Sequence, residues 1–107
     1  MKKKSSRRAK ALDIDKKTKE RVWQRDGERC ILCGNHEAMP NAHYIPRSAG
    51  GLGIEQNIVT LCSRDHFRFD QTTERETLRE QIKHYLKSCY PDWDEKKLYY
   101  RKYEGQL

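Results

Sequence analysis

Apolar residues recur at Leu78, Ile82 and Leu86 in a stretch otherwise built of charged and polar side chains. A four-residue step returns to the same side of an α-helix, so the pattern predicts a long amphipathic helix with one buried stripe. Thr73-Glu74-Arg75-Glu76 reads as its capping box, the Thr hydroxyl and the later Glu each satisfying a free backbone N–H. The helix should run to about Ser88. Tyr90-Pro91-Asp92-Trp93 breaks it, and Asp94 caps a last short helix over 94–102. Near the other end, Val22 and Trp23 supply the apolar face of a helix over 16–24, with Asp15 as N-cap and Asp26-Gly27 as its end. Between these helices the pattern changes. Residues 40–47 (PNAHYIPR) read as a short strand, where Pro46 marks an edge or an end. Residues 57–62 (NIVTLC), dense in β-branched and apolar side chains, read as the returning strand. The segment 48–53 joins them as a flexible loop with three glycines, and a helix carrying His66 and Asp70 should start near Ser63.

Composition narrows this picture. The chain has 107 residues, enough for one domain, with 35% hydrophobic and 36% charged side chains. So thin a core usually needs disulfides, a metal or a partner. Residues 1–11 carry six Lys or Arg and no acid, which predicts a disordered arm ahead of a single domain over 12–107. Such an arm could lie along phosphates or merely aid solubility. No apolar run approaches the roughly 20 residues needed to span a bilayer. The basic start has no apolar stretch behind it, which argues against a secretory signal. A cytoplasmic, reducing setting is the expectation, where paired cysteines more often hold metal than form disulfides. The net charge of +7 favours phosphate-bearing partners, the plainer alternative being a solvated basic surface.

The cysteines then become informative. Cys30 and Cys33 have the two-residue gap that lets both sulfurs reach one tetrahedral ion. Cys62 opens a second pair, but the partner position holds Asp65, which can ligate zinc through oxygen. Cys89, at the far end of the long helix, is the weaker choice of fourth ligand. The expected site is a structural zinc knuckle of Cys30, Cys33, Cys62 and Asp65, pinning the turn to the end of the second strand. A site saturated by protein ligands has no open position for chemistry. The plainer alternative makes Asp65 a helix N-terminal residue.

Within that frame stand Ala42-His43, Pro46-Arg47-Ser48 with Gly50-Gly51, Asn57-Ile58-Val59, Leu61-Cys62, and His66 to Asp70. Together with the Cys30–Cys33 pair, these residues resemble the HNH nuclease family over roughly residues 27–70. The segment AHYIPRS, the final HxxxD and the tail YPDWDEKKL look most like small phage and prophage members. The resemblance implies an α+β fold: a small ββα-metal (His-Me finger) core over about 27–72, with the zinc knuckle, flanked by helices and followed by a helical part over 73–107. It implies a metal-dependent endonuclease that hydrolyses DNA phosphodiester bonds, encoded by phage or prophage. His43 would be the general base, Asn57 would hold the loop between the strands and so orient His43, and His66 would act at the catalytic metal. A neutral imidazole can take a proton from water near neutral pH. His66 and Asp70, four apart, lie on one helix face and make a ligand pair for Mg2+ or Mn2+. One departure stands out. Many members carry Asp or His immediately before the base as a further ligand, and this chain has Ala42.

Other residues carry two readings. Arg47, Arg64 and Arg68 could clamp phosphates or be ordinary surface arginines. His36 and His84 are expected at the surface, and Trp93, Tyr99 and Tyr100 over the core. A catalytically inactive zinc-knuckle DNA-binding module is the main rival function, and an adaptor on a phage packaging machine a weaker one. Expected partners are DNA, with a homodimer or phage packaging proteins as further candidates, and no membrane.

Overall fold

The structure, a computed structural model, describes residues 6–101. The first five residues of the expected basic arm, and the expected helix end at Lys102, lie outside them. The chain folds as α1 (Arg7–Leu12), α2 (Lys16–Arg25), β1 (Ala38–His43), β2 (Ile58–Cys62), α3 (Ser63–Gln71) and α4 (Arg75–Cys89), with short 3-10 turns between and after. The class is α+β. No helix among the described residues is long and apolar enough to cross a membrane.

The two strands form one antiparallel sheet, pairing Ala38 with Cys62 and His43 with Ile58. Two residues of β1, Pro40 and Asn41, lie opposite one of β2, Thr60, between the Met39–Leu61 and Ala42–Val59 pairs, which is a β-bulge. Pro40 falls inside it, where its missing N–H breaks no ladder bond. β1 therefore lies earlier than the predicted 40–47: Pro46 sits past its end, just before a 3-10 turn. β2 is buried at every position and passes straight into α3 without a loop. α2 packs on both strands, and α4 packs on α3.

Local signals account for much of this. Asp15 caps α2 by accepting from the Thr18 N–H at 2.7 Å. Leu78, Ile82 and Leu86 of α4 are buried as one stripe, each about 1.5–3 kcal/mol of burial. Beneath them lie Tyr44, Ile45, Val59, Leu61, Phe69 and Leu98, and Trp93 meets Tyr44 edge-on with ring centroids 5.7 Å apart. Asp26 knits three elements together, since Thr60 N and Tyr85 Oη donate to it and Arg25 pairs with it.

Further expectations need correction. Within the stretch expected to be a disordered arm, Arg7–Leu12 is helical, capped by Ser6, because Leu12 is buried and Gly53 N donates to Ala11 O at 2.9 Å. Thr73 does not cap α4. Glu74 is the flanking residue, no side chain caps it, and the Thr72 hydroxyl accepts from Glu74 N instead. The last helix shrinks to a 3-10 turn, Glu95–Leu98, because Tyr99 bridges to Gly51 in extended form.

The glycine loop is not loose either. Leu52 N donates to Leu98 O at 2.8 Å, and Tyr100 N to Gly50 O at 2.8 Å. A methyl group on Gly51 would lie 1.7 Å from the Ile45 carbonyl oxygen, and one on Gly53 would lie 2.0 Å from the Asp13 carbonyl oxygen. Backbone approaches this close require glycine.

Candidate functional site

His43 ends β1 and is half-buried. Its Nε2 lies 2.9 Å from the carbonyl oxygen of Leu12, the last residue of α1. A carbonyl only accepts, so Nε2 carries the hydrogen and Nδ1 keeps the lone pair. Arg47 Nη1 donates to the same carbonyl oxygen at 2.9 Å and pairs with Asp13 at 2.9 Å. Burial, helped by the nearby Arg47 and His66, pushes the His43 imidazole below its ordinary value, against the Leu12 hydrogen bond, which raises it. Near neutral pH the ring is therefore neutral.

His43, His66 and Asp70 line one open cleft of about 420 Å³, with Asn41, Arg47 and Arg75 around them. His66 Nε2 and Asp70 Oδ2 are 3.1 Å apart on successive turns of α3. Neighbouring ligands in an octahedral shell with bonds of ~2.1 Å stand about 3.0 Å apart, so this pair could share one small cation. Asn57 is fully buried. Its Oδ1 accepts from Ile45 N at 2.8 Å, and its Nδ2 donates to Ile45 O at 3.1 Å and Leu52 O at 2.8 Å. Its own carbonyl accepts from Tyr44 N at 2.8 Å. Asn57 thus clamps both ends of the inter-strand loop directly after His43.

Away from the cleft, Cys30, Cys33, Cys62 and Asp65 bring one ligand atom each to within 4.8 Å of one another and could hold a metal ion. The Cys30 Sγ–Asp65 Oδ2 distance is 3.3 Å and the Cys33 Sγ–Cys62 Sγ distance is 3.6 Å. Tetrahedral zinc, with bonds of ~2.3 Å to sulfur and ~2.0 Å to oxygen, would set such pairs roughly 3.5–3.8 Å apart. The fit is good. Ile31 N donates to Thr60 O at 3.1 Å, tying the Cys30 turn to β2. Cys62 caps α3, its Sγ accepting from Asp65 N at 3.4 Å.

Asp65 has no exposed side-chain surface. Burial would raise its carboxyl, but hydrogen bonds from Arg68 and the three thiols hold it down at about 2. Arg68 Nη1 grips Oδ1 at 2.7 Å, which turns Oδ2 toward Cys30. The guanidinium also bonds Glu74 through Nε at 2.8 Å and through Nη2. Arg68 is therefore committed to two carboxylates and, unlike Arg47, does not line the cleft, so nothing here supports its reading as a phosphate clamp. Arg64, mostly exposed, leans on the same Asp65 oxygen at 3.4 Å. Cys89 is not among the four grouped side chains. His36 and His84 are exposed, as expected.

Three participants were not foreseen. The Leu12 carbonyl is a backbone atom and has no signal in a sequence. Asn41, two residues before His43, could have been found from strand alternation, whereas Arg75 opens α4 across a break from Asp70 and has no such signal. A scan against protein-family models finds no match for the chain, and a search of curated proteins finds none either.

Proposed function

We propose that this protein is a metal-dependent HNH-type endonuclease that hydrolyses DNA phosphodiester bonds. One observation carries the reading: His43, fixed through Nε2 by the Leu12 carbonyl so that Nδ1 is the basic nitrogen, shares a cleft with the His66–Asp70 pair. In this scheme His43 Nδ1 takes a proton from water, whose oxygen attacks phosphorus as the bond to the 3′-oxygen breaks. A divalent cation, Mg2+ or Mn2+, held by His66 and Asp70 would offset charge growing on the phosphate and on the leaving oxygen. Arg47 and Arg75, lining the same cleft, are suited to hold the phosphate. Asn57 keeps the loop rigid so that His43 meets the phosphate at one angle. The succession β1, β2, α3 is read as the ββα-metal core.

Cys30, Cys33, Cys62 and Asp65 are read as a structural zinc site that fastens the start of α3, and with it His66 and Asp70. DNA is the proposed partner, consistent with the net charge of +7.

A second reading, a zinc-knuckle DNA-binding module without catalysis, draws on Ala42, which is fully buried and offers no ligand beside His43. Incubating plasmid with the pure protein separates the two. The nuclease reading expects nicked or linear DNA with Mg2+ or Mn2+ and intact DNA with EDTA. Retarded but uncut plasmid under every metal condition would leave only the binding module.

A further inference from the structure

Ala42 packs into the core cluster, whereas its neighbours Asn41 and His43 both line the cleft that holds His66 and Asp70. The bulge in β1 falls between Met39 and Ala42, so Asn41 belongs to the irregular stretch. Bulges of this kind re-aim a side chain and recur beside active sites. The Asn41 Oδ1 atom is buried and has no hydrogen-bond partner among the described residues. Among the described residues one other side-chain atom shares that condition, Thr60 Oγ1, and Thr60 does not line the cleft. Buried acceptors are almost always satisfied in folded proteins, so an orphan on a residue that lines a polar cleft asks for a donor or a cation.

We propose that Asn41 Oδ1 is a third protein ligand, with His66 and Asp70, for a hard divalent cation in this cleft. The inference rests on the reading of that pair as a cation site. An amide oxygen is a neutral, hard donor of the kind Mg2+ and Mn2+ accept alongside carboxylate and water. Asn41 on the strand would then stand in for the ligand that Ala42 lacks. The set becomes one imidazole nitrogen, one carboxylate oxygen and one amide oxygen, with the remaining positions for water and phosphate. It also couples strand to helix, since β1 carries one ligand and α3 the other two.

The test needs no DNA and no turnover. The full chain, with zinc supplied, is titrated with Mn2+ while the free ion is followed by electron paramagnetic resonance. Asn41→Ala should weaken Mn2+ binding about tenfold or more, the loss expected when a metal site loses a supporting group. Asn41→Asp, which keeps the oxygen and adds charge, should tighten it. A carboxylate that merely stood near the ion would tighten it by a through-space attraction that salt screens, so the gain is read at high ionic strength, where direct ligation persists. Should Asn41→Ala fail to fold, Asn41→Asp decides alone: binding that stays tighter at high salt supports the ligand, and unchanged or weaker binding overturns it. If His66→Ala and Asp70→Ala lose Mn2+ while Asn41→Ala keeps it, Asn41 is no ligand and the cation site stands. If the wild-type chain binds no Mn2+, or binds it regardless of His66 and Asp70, both the site and this inference fall.

Discussion

The imidazole of His43 bonds through Nε2 to the carbonyl oxygen of Leu12, 2.9 Å away and 31 residues earlier in the chain. α1 is thereby part of the candidate active site, because its last carbonyl selects the imidazole tautomer. Gly53 keeps α1 in place, its N–H bonding Ala11 O at 2.9 Å. A methyl group there would sit 2.0 Å from Asp13 O and 2.9 Å from Leu12 O. Gly53→Ala should therefore displace the end of α1 while leaving every charge intact. A misplacement of about 1 Å can cost roughly 10²-fold in rate, and that is the loss expected for single-turnover cleavage at saturating DNA. Unchanged cleavage by a variant with wild-type stability would detach α1 from the site.

The pH dependence of cleavage follows from the same ring. Burial, with Arg47 and His66, depresses the His43 pKa, so the basic form prevails at pH values where an ordinary imidazole would be half protonated. Cleavage should rise with pH through a midpoint below the ordinary imidazole value of about 6.5. A cation beside the ring acts in the same direction. Arg47→Ala removes one cause of the depression and should move the rising limb to higher pH. A limb that stays put would mean that Arg47 does not act on the base.

The Cys30, Cys33, Cys62 and Asp65 group makes a sharper claim about stability. Structural zinc contributes about 10–16 kcal/mol in zinc-finger peptides near neutral pH, as much as the ~5–15 kcal/mol that holds a whole domain. Native mass spectrometry should find one zinc per chain, and a strong chelator should unfold the protein. Asp65→Cys should keep the zinc and resist chelation longer, whereas Asp65→Ala should lose it more readily. A chain that melts at the same temperature with and without chelator would show that the thiols merely pack together.

Asn57 is buried for its hydrogen bonds rather than for its size. Asn57→Ala leaves Ile45 N, Ile45 O and Leu52 O without this partner, at ~1–3 kcal/mol for each buried group left dry. Thermal denaturation should show a clear loss, with slower cleavage and unchanged zinc content. Asn57→Asp should do no better, because two of the three groups are carbonyls that need a donor. Recovery of stability in Asn57→Asp would contradict this account of the loop.

What could be read in advance follows the range of the interaction. The Asp15 cap, the β-branched run of β2 and the four-residue stripe of α4 are signals confined to a few neighbours, and each marked its element. His66 and Asp70 share a helix turn, so their proximity was legible too. α1 was not, because RRAKAL has no repeating apolar face and is held by Leu12 burial and the contact with Gly53. Thr73 matched the capping-box pattern, yet Thr72 closes the turn before α4 by bonding Arg68 O at 2.6 Å. Arg68 looked like a surface cation until the fold set it between Asp65 and Glu74. Asn41 is polar in a strand beside a proline, and nothing local tells a buried oxygen from a solvated one.

The central claim is that His43 is the base, and the cleavage rate of His43→Ala tests it most directly. With DNA binding, zinc content and melting temperature held at wild-type values, plasmid cleavage in Mg2+ or Mn2+ should fall by about 10²–10⁴-fold, the usual worth of general-base catalysis. Cleavage by the variant at the wild-type rate would contradict the account.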